Sequence, residues 1–234
     1  MHILKYLQLP FLFDSRLLQQ DVDALSAMPW QPHYQVKHYD GEWSAIPLRS
    51  IDGKTNNVIV SPVADTRYCD TVFLDKSPYL KQVLQHFECP LQAVRLLKLN
   101  AGSMIKEHRD AELNFEKGEI RLHIPVYTHP GVEFLLDKEP MELKAGECWY
   151  MNFNLPHSLH NKSHIHRVHL VIDAVVNDWV TQLFADPRCP VKKEIEDNAG
   201  KYDVETKKQM IQHFRLMNTA VSNQMADDLE KSLV

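Results

Sequence analysis

Several features are scarce in this sequence of 234 residues, and each scarcity excludes a class of protein. It has seven glycines, so its turns depend on its 13 prolines and on Asn and Asp rather than on flexible glycine loops. The net charge is −5, and no basic excess favours nucleic acid or an anionic membrane surface. No window approaches the roughly 18 to 20 apolar residues of a membrane span. We expect a globular protein with neither a nucleic-acid nor a membrane partner.

Cysteine is scarce as well. The four cysteines are Cys69, Cys89, Cys148 and Cys189. They are far apart and form no CxxC pair, which argues against a zinc knuckle or a disulfide framework. The apolar N-terminal segment is interrupted by Lys5, Gln8 and Pro10, and it lacks the basic start and the cleavage site of a signal peptide. Both observations favour a cytoplasmic protein with reduced thiols.

Short apolar segments dominate residues 92–176. They read AVRLLKL, EIRLHIPVY, VEFLLD, MELK, ECWYMNF and RVHLVIDAVV. Regularly spaced segments of this kind, separated by Pro, Gly, Asn and Asp, predict strands of a sandwich or barrel. The number of strands fits a double-stranded β-helix, the jelly roll of cupin-like proteins, in a mainly β fold with flanking helices.

Helices are predicted on both sides of this β region. Asp14 caps a helix that follows a short strand at 3–8, and Ser77-Pro78 opens a second helix. A short helix is predicted at 177–185, and an apolar stripe over 204–233 predicts a long one. That stripe packs against the sheet or, as the alternative, forms a homodimer interface.

We expect these parts to form one domain over residues 1–234. It would consist of an N-terminal α/β extension at 1–90, a jelly-roll core at 91–176 and C-terminal helices at 177–234.

The segment KEHRDAE places His108 and Asp110 two residues apart. Residues i and i+2 of a strand point to the same face, so an imidazole and a carboxylate would converge there. An HxD sequence also arises often by chance, and a surface turn with a salt-bridged Asp is the alternative interpretation. For the intervening Arg109 we prefer a structural role as an ion-pair partner.

Charged residues alternate with apolar ones on two predicted strands. Arg121 and His123 share one side of the strand at 119–126, and Arg167, His169 and Asp173 share one side of the last strand. Facing solvent, they would be the polar side of an ordinary half-buried strand. Facing the barrel interior, the arginines would need a bound anion, and a guanidinium matches a carboxylate bidentately.

Two imidazoles and one carboxylate on one face of a metal form the facial triad of non-haem Fe(II) sites, which leaves three positions open. A bidentate keto acid and O2 can occupy them. The far carboxylate of the keto acid then needs a buried arginine as a second anchor. HxD, a distal histidine and an arginine beyond it therefore fit one mechanism.

The sequence resembles the aspartyl/asparaginyl β-hydroxylase family of Fe(II)- and 2-oxoglutarate-dependent dioxygenases, and the related bacterial free-proline hydroxylases. The matching segments lie between about 95 and 176 and read EHRDAEL, IRLHIPV, AGECWYMNFNLPHS and RVHLVID. In that family the third metal ligand is a histidine ten residues before the arginine that binds 2-oxoglutarate. His157 and Arg167 have this spacing.

The resemblance implies His108, Asp110 and His157 as ligands of a catalytic Fe(II), with 2-oxoglutarate and O2 as co-substrates. It assigns Arg167 to the co-substrate and places Arg121 and His123 at further co-substrate contacts. Glu107 departs from the family pattern, in which many members have proline before HxD.

The implied substrate is a free amino acid or related small molecule, or an Asp or Asn side chain of a polypeptide. Residues that could line its pocket are Trp43, Arg95, Tyr127, Trp149 and Asn152. Core packing for the aromatic residues and a structural salt bridge for Arg95 stay open as alternatives. Two further functions also stay open, namely a non-catalytic metal-binding sensor of a small carboxylate and a hydrolase or isomerase using Zn(II) or Mn(II).

Overall fold

The structure of the protein is a computed structural model, which describes residues 2–61, 63, 65–110, 113–196 and 204–231. The elements of the first half are β1 (His2–Leu12), α1 (Ser15–Ala24), β2 (Gln31–Pro32), β3 (Tyr39–Asp40), β4 (Trp43–Ile51), β5 (Tyr68–Asp70), α2 (Val72–Asp75), α3 (Pro78–Leu84), β6 (Leu91–Leu99) and β7 (Met104–His108). Those of the second half are β8 (Glu119–Tyr127), β9 (Val132–Leu136), β10 (Glu139–Pro140), β11 (Glu147–Met151), β12 (His157–Asn161), β13 (Arg167–Val175), α4 (Asp178–Phe184), β14 (Val191–Glu196), α5 (Val204–Met217) and α6 (Ala220–Lys231). Two short 3-10 helices are Val36–His38 and Phe115–Lys117.

The strands form two sheets. In the described part of the chain, the larger sheet has the order β14-β1-β11-β8-β13-β6-β4-β2, with β5 paired to β4, and the smaller has the order β10-β9-β12-β7-β3. Neighbouring strands of the two central regions, β11-β8-β13-β6-β4 and β9-β12-β7, pair antiparallel. This arrangement confirms the predicted mainly β jelly roll.

Apolar residues form two cores, one on each face of the larger sheet. Leu122, Ile124 and Leu170 belong to the core that includes the apolar faces of α1, α3 and α4. Val171 and Phe134 belong to the second core, which residues of both sheets share. The alternation predicted for β8 and β13 is thereby confirmed, because Arg121, His123, Arg167, His169 and Asp173 lie on the inter-sheet side.

Local sequence explains where the predicted helices begin. The Asp14 side chain accepts from the backbone N–H groups of Arg16 and Leu17, so it caps α1 as expected. Pro78 opens α3, where its missing N–H costs no hydrogen bond. The helix predicted at 177–185 is α4, whose cap is Asn177.

Three sequence expectations differ from the structure. MELK (141–144) was expected as a strand but is irregular, because the hairpin partner of β9 is the two-residue β10 just before it. The C-terminal helix is broken into α5 and α6 at Asn218, whose φ of 48° ends the first helix. Residues 232 and 233 of the predicted helix lie outside the described residues. The predicted C-terminal helices at 177–234 also include the strand β14.

The chain divides into two compact units. One comprises Leu4–Glu194 and holds the jelly roll, and the other comprises residues 1–3 and 195–234. Within the second unit α5 packs against α6, and Ile211, Ser222 and Ala226 are buried. The strands β1 and β4, from the predicted N-terminal extension, join the larger sheet. A single domain with the boundaries given above stays a prediction. No helix among the described residues is long and apolar enough for a transmembrane segment.

Candidate metal centre

The pairing of β7 with β12 brings the three predicted metal ligands together. His108 is the last residue of β7 and lies opposite His157, the first residue of β12. Asp110 follows β7, and its backbone N–H donates to the carbonyl oxygen of Phe153 at 2.9 Å. The ligand atoms of His108, Asp110 and His157 lie within 4.8 Å of one another. Side chains 49 residues apart in sequence therefore converge at one end of the smaller sheet.

Hydrogen bonds fix which nitrogen of each imidazole faces the other ligands. His108 Nδ1 lies 2.8 Å from the carbonyl oxygen of Lys106, and His157 Nδ1 lies 3.0 Å from that of Leu155. A carbonyl oxygen only accepts, so each Nδ1 carries the proton and each Nε2 keeps its lone pair. His108 Nε2 is 3.8 Å from Asp110 Oδ1. This donor set, two Nε2 atoms and one carboxylate oxygen, fits a divalent metal ion.

The surroundings keep both His157 and Asp110 deprotonated at neutral pH. Burial, followed by the neighbouring His108, lowers the pKa of His157 to about 4. Burial by itself would raise the pKa of Asp110, but Arg121 and then the two histidines outweigh it and hold that pKa below its ordinary value. Since metal ligands must be deprotonated, the site needs little proton release to bind a cation.

A buried ion-pair chain supports Asp110. Its Oδ2 accepts from Arg121 NH1, and Arg121 Nε donates to Asp173 Oδ1 at 2.6 Å. The other oxygen of Asp173 accepts from Arg95 NH2 at 2.6 Å. Burial opposes the charge on Arg121, yet Asp173 and Asp110 raise its pKa. Arg121 therefore orients the carboxylate that would bind the metal, while its direct contact with a co-substrate stays a prediction.

Arg167 is a buried cation that no carboxylate neutralises in the described part of the chain. It is 3% exposed, its NH2 donates to His169 Nδ1 at 2.7 Å, and its Nε has no hydrogen-bond partner. Burial lowers the pKa of Arg167 to about 9. A guanidinium still charged at neutral pH in such a place indicates a binding site for an anion.

Hydrogen bonds link Arg167 to His169 and His169 to His123. An arginine only donates, so His169 Nδ1 accepts, and the proton of the 3.2 Å contact between the two Nδ1 atoms belongs to His123. The ring of His123 stacks on Phe153, and its buried Nε2 has no hydrogen-bond partner among the residues that the structure describes. Burial, followed by Arg167, keeps the pKa values of both histidines well below their ordinary range.

Two cavities adjoin these residues. The metal cavity, of about 50 Å³, is lined by His108, Asp110, His157, Arg121, His123 and Arg167 among others. The outer cavity, of about 580 Å³, shares Trp43, Asp110 and Arg121 with it and is also lined by His33, Arg95 and Arg109. The six residues that the sequence assigns to metal and co-substrate thus surround one space, and the outer cavity borders it at Asp110 and Arg121.

Among the candidate substrate residues, some line the outer cavity and others lie away from both cavities. Arg95 lines the outer cavity and also forms the salt bridge with Asp173 that the sequence left open. Trp149 donates from Nε1 to Glu147, Asn152 donates to the carbonyl oxygen of Leu4, and Tyr127 donates to Asp23. None of these three lines the metal cavity or the outer cavity. A substrate role for Trp149 and Asn152 remains a prediction without structural support here.

Three residues of the site have no assigned role in the sequence interpretation. Alternation places Asp173 and His169 on the same side of β13 as Arg167, as the structure shows, but it does not reveal that they hydrogen-bond to the arginines. His33 stacks on Trp43 with ring centroids 3.4 Å apart, and burial lowers its pKa to about 3. It lies in a region of irregular structure where no periodic pattern marks it.

Two imidazoles and a carboxylate inside a jelly roll define the class of mononuclear non-haem metal proteins. The chain matches the family model described as aspartyl/asparaginyl beta-hydroxylase over residues 14–176. The chain belongs to this family.

Three curated relatives are named as L-proline hydroxylases. The chain is 29% identical over 164 residues to the L-proline cis-4-hydroxylase of Rhizobium meliloti (strain 1021). The aligned region covers 69% of this chain and 57% of that protein. It is 24% identical over 176 residues to L-proline cis-3-hydroxylase 1 of a Streptomyces species, covering 74% and 59%. The matches thus span less than two thirds of those relatives. Among solved structures, an oxidoreductase of the 2OG-Fe(II) oxygenase family from Burkholderia pseudomallei aligns over 69% of this chain and 79% of that chain, with 14% identity and a TM-score of 0.47.

Proposed function

We propose that the protein is an Fe(II)- and 2-oxoglutarate-dependent hydroxylase. It would act on an amino acid, or on an Asp- or Asn-type side chain in a peptide or protein, and release succinate and CO2. One observation carries the proposal: the buried Arg167, which lacks a carboxylate partner among the described residues, lines the same cavity as His108, Asp110 and His157.

The donor set fits iron. His108 Nε2, His157 Nε2 and one oxygen of Asp110 would hold the ion, and the facial arrangement leaves positions for a bidentate keto acid and O2. Fe(II), 2-oxoglutarate and O2 together supply oxidative decarboxylation coupled to hydroxylation of a C–H bond. Arg121 holds Asp110 from the side opposite to the ligand set, because Oδ2 accepts from Arg121 while Oδ1 lies nearer His108.

Arg167 has the properties of an anchor for the far carboxylate of 2-oxoglutarate. Its Nε, which has no hydrogen-bond partner among the described residues, can donate in a buried site, where a charge-assisted pair is strong. Neutral His169 holds the guanidinium in place without cancelling its charge. The diacid would thus meet a metal at one end and a buried cation at the other.

The outer cavity is the proposed place of the substrate. It borders Asp110 and is lined by the cations Arg95, Arg109 and Arg121 beside the aromatic residues His33 and Trp43. This lining suits a small molecule or a side chain that carries a carboxylate next to an apolar carbon. The names of the curated relatives give L-proline as the compound that they hydroxylate. This favours a free amino acid as the substrate of this protein.

The test is substrate-coupled release of succinate. The purified protein with Fe(II), 2-oxoglutarate and O2 is screened against free amino acids and against peptides containing Asp or Asn. We expect at least one of them to release succinate together with a hydroxylated product. His157→Ala should abolish this turnover, whereas the matched control His160→Ala, at a half-exposed position of the same strand, should retain it.

Binding of 2-oxoglutarate without coupled turnover of any of these substrates would contradict the hydroxylase and support the alternative, a sensor of a small carboxylate.

A further inference from the structure

A third cavity adjoins Arg167, and its lining includes no metal ligand and no residue of the outer cavity proposed for the substrate. Its volume is about 400 Å³, within the usual range of small-molecule sites. It shares Arg167, Phe134 and Leu159 with the metal cavity but none of the three metal ligands. We call it the distal chamber.

The lining of the distal chamber is amphipathic from rim to floor. Its walls are mostly apolar and buried, being Phe134, Met141, Leu143 and Leu159, with Val132 half-buried. Exposed Pro130, Glu142 and Lys144 form the rim, and buried Arg167 and His169 form the polar floor. A ligand that enters therefore passes along apolar walls and meets a cation at the end.

The polar floor of the chamber can bind a negatively charged group when no diacid occupies Arg167 from the metal side. Arg167 has no carboxylate partner among the described residues, and its Nε lacks any hydrogen-bond partner. His169 already accepts from Arg167 and is neutral, so it does not compensate the charge. A carboxylate at the floor would gain charge-assisted hydrogen bonds in a water-poor site.

We propose that the distal chamber binds a small amphipathic monocarboxylate, with its carboxylate at Arg167 and its alkyl or aryl tail between Met141, Leu143 and Phe134. One guanidinium serves both the chamber and the metal cavity, so such a ligand competes with any diacid that uses Arg167 on the metal side. The binding itself needs neither iron nor turnover and therefore goes beyond the proposed hydroxylase activity.

The first test uses linear carboxylates of increasing length on the metal-free protein, by isothermal titration calorimetry. Affinity is expected to rise about three- to fourfold for each added methylene from butanoate to octanoate, because each methylene leaves water for the apolar walls. Octanol, which has the tail but no charge, should bind at least about tenfold more weakly than octanoate. Absence of octanoate binding, or equal binding of all chain lengths, would overturn the proposal.

The second test fills the chamber. Leu143→Trp, and the milder Met141→Phe if the tryptophan variant does not fold, should weaken octanoate binding at least about tenfold and about threefold respectively. The matched control Leu135→Trp, at an exposed position of β9, should bind octanoate like the wild type. Unchanged octanoate affinity in the folded filling variants would place the ligand elsewhere and refute the chamber.

Binding of 2-oxoglutarate to the iron-loaded variants separates this inference from the proposed function. The filling variants should bind 2-oxoglutarate within about twofold of the wild type, since the metal cavity is untouched. Octanoate binding in a protein that never binds 2-oxoglutarate would uphold the chamber and reject the hydroxylase. Binding of 2-oxoglutarate without any binding of octanoate would reject the chamber and leave the proposed hydroxylase standing.

Discussion

At the scale of single residues, the site depends on hydrogen bonds that leave one specified atom of each side chain available. His108 and His157 donate from Nδ1 to backbone carbonyls, so Nε2 is the free ligand atom. Asp110 gives one oxygen to Arg121 and keeps the other toward the histidines. This division of donors and acceptors prepares the ligands for a metal before it binds.

We expect the loss of the Asp173 carboxylate to lower the free energy of unfolding the most. It is fully buried and pairs with the buried Arg95 and the half-buried Arg121, so Asp173→Asn would leave both arginines undercompensated. The free energy of unfolding should fall by about 3–5 kcal/mol in urea denaturation. The control Asp70→Asn breaks an exposed pair with Arg49 and should cost less than about 1 kcal/mol. Equal costs for the two variants would refute the importance of the buried chain.

His169 positions Arg167, and its removal should weaken the binding of 2-oxoglutarate. His169→Leu deletes the acceptor of the 2.7 Å bond from Arg167 NH2, so we expect about tenfold lower affinity, on the scale of one charge-assisted hydrogen bond. His169→Asn, which offers an amide oxygen, should recover part of the loss, and the affinity for Fe(II) should not change. A leucine variant with wild-type 2-oxoglutarate affinity would contradict this role.

Individual residues were predictable from sequence where two signals agreed. His108 and Asp110 combine a same-face spacing with a family pattern, His157 has the family's spacing to Arg167, and the structure brings the three together. The substrate role predicted for Trp149 depended only on its residue type, and in the structure its indole Nε1 donates to Glu147. The environment of His33 depends on stacking against a residue ten positions away, which no local pattern encodes.

At the scale of elements, alternation predicted the two strands that carry the arginines, β8 and β13, because each packs one apolar face into the first core and carries polar side chains on the other face. β4 was not predicted, since Pro47 removes a ladder donor inside it and the register shifts there. β12 was not predicted either, because His157 and His160 make its sequence HSLHN polar. Long-range pairing stabilises both strands, and a single sequence does not show it.

The break between α5 and α6 yields a prediction of its own. The Thr219 hydroxyl accepts from the backbone N–H of Ser222 at 3.0 Å and so caps α6. Thr219→Ala should lower the stability of this helix by about 1 kcal/mol, seen as faster hydrogen exchange of amides in residues 221–225. Thr219→Ser should exchange like the wild type. Identical exchange in the alanine variant would show that the cap contributes nothing.

At the scale of the whole molecule, the jelly-roll unit buries several neutral histidines. Burial is the main cause that lowers the pKa of His33 to about 3 and of His157 to about 4, and it takes those of His123 and His169 well below their ordinary value. In the unfolded chain these side chains titrate near pH 6.5. The unfolded state therefore binds protons that the folded state does not, so stability falls as the pH drops below about 6.5.

This linkage predicts the acid stability of the metal-free protein. Between about pH 6 and 4 the free energy of unfolding should decrease by about 1.4 kcal/mol per pH unit for each such histidine. His33→Phe keeps an aromatic ring against Trp43 and should reduce the slope by one such unit, whereas Leu135→Phe, at an exposed position without a titratable group, should leave it unchanged. Denaturation curves with a chelator at several pH values measure it. A slope that is the same in all three proteins would contradict the buried neutral state of His33.

The central claim is that one space holds Fe(II) between His108, Asp110 and His157 and a diacid against Arg167. The most direct measurement is an anaerobic titration of the protein with Fe(II) and 2-oxoglutarate, followed by the visible metal-to-ligand charge-transfer absorption. We expect the band to appear in the wild type, to vanish in His157→Ala, and to require much higher 2-oxoglutarate concentrations in Arg167→Met. A wild-type protein without the band, or a band that His157→Ala leaves intact, would contradict the account.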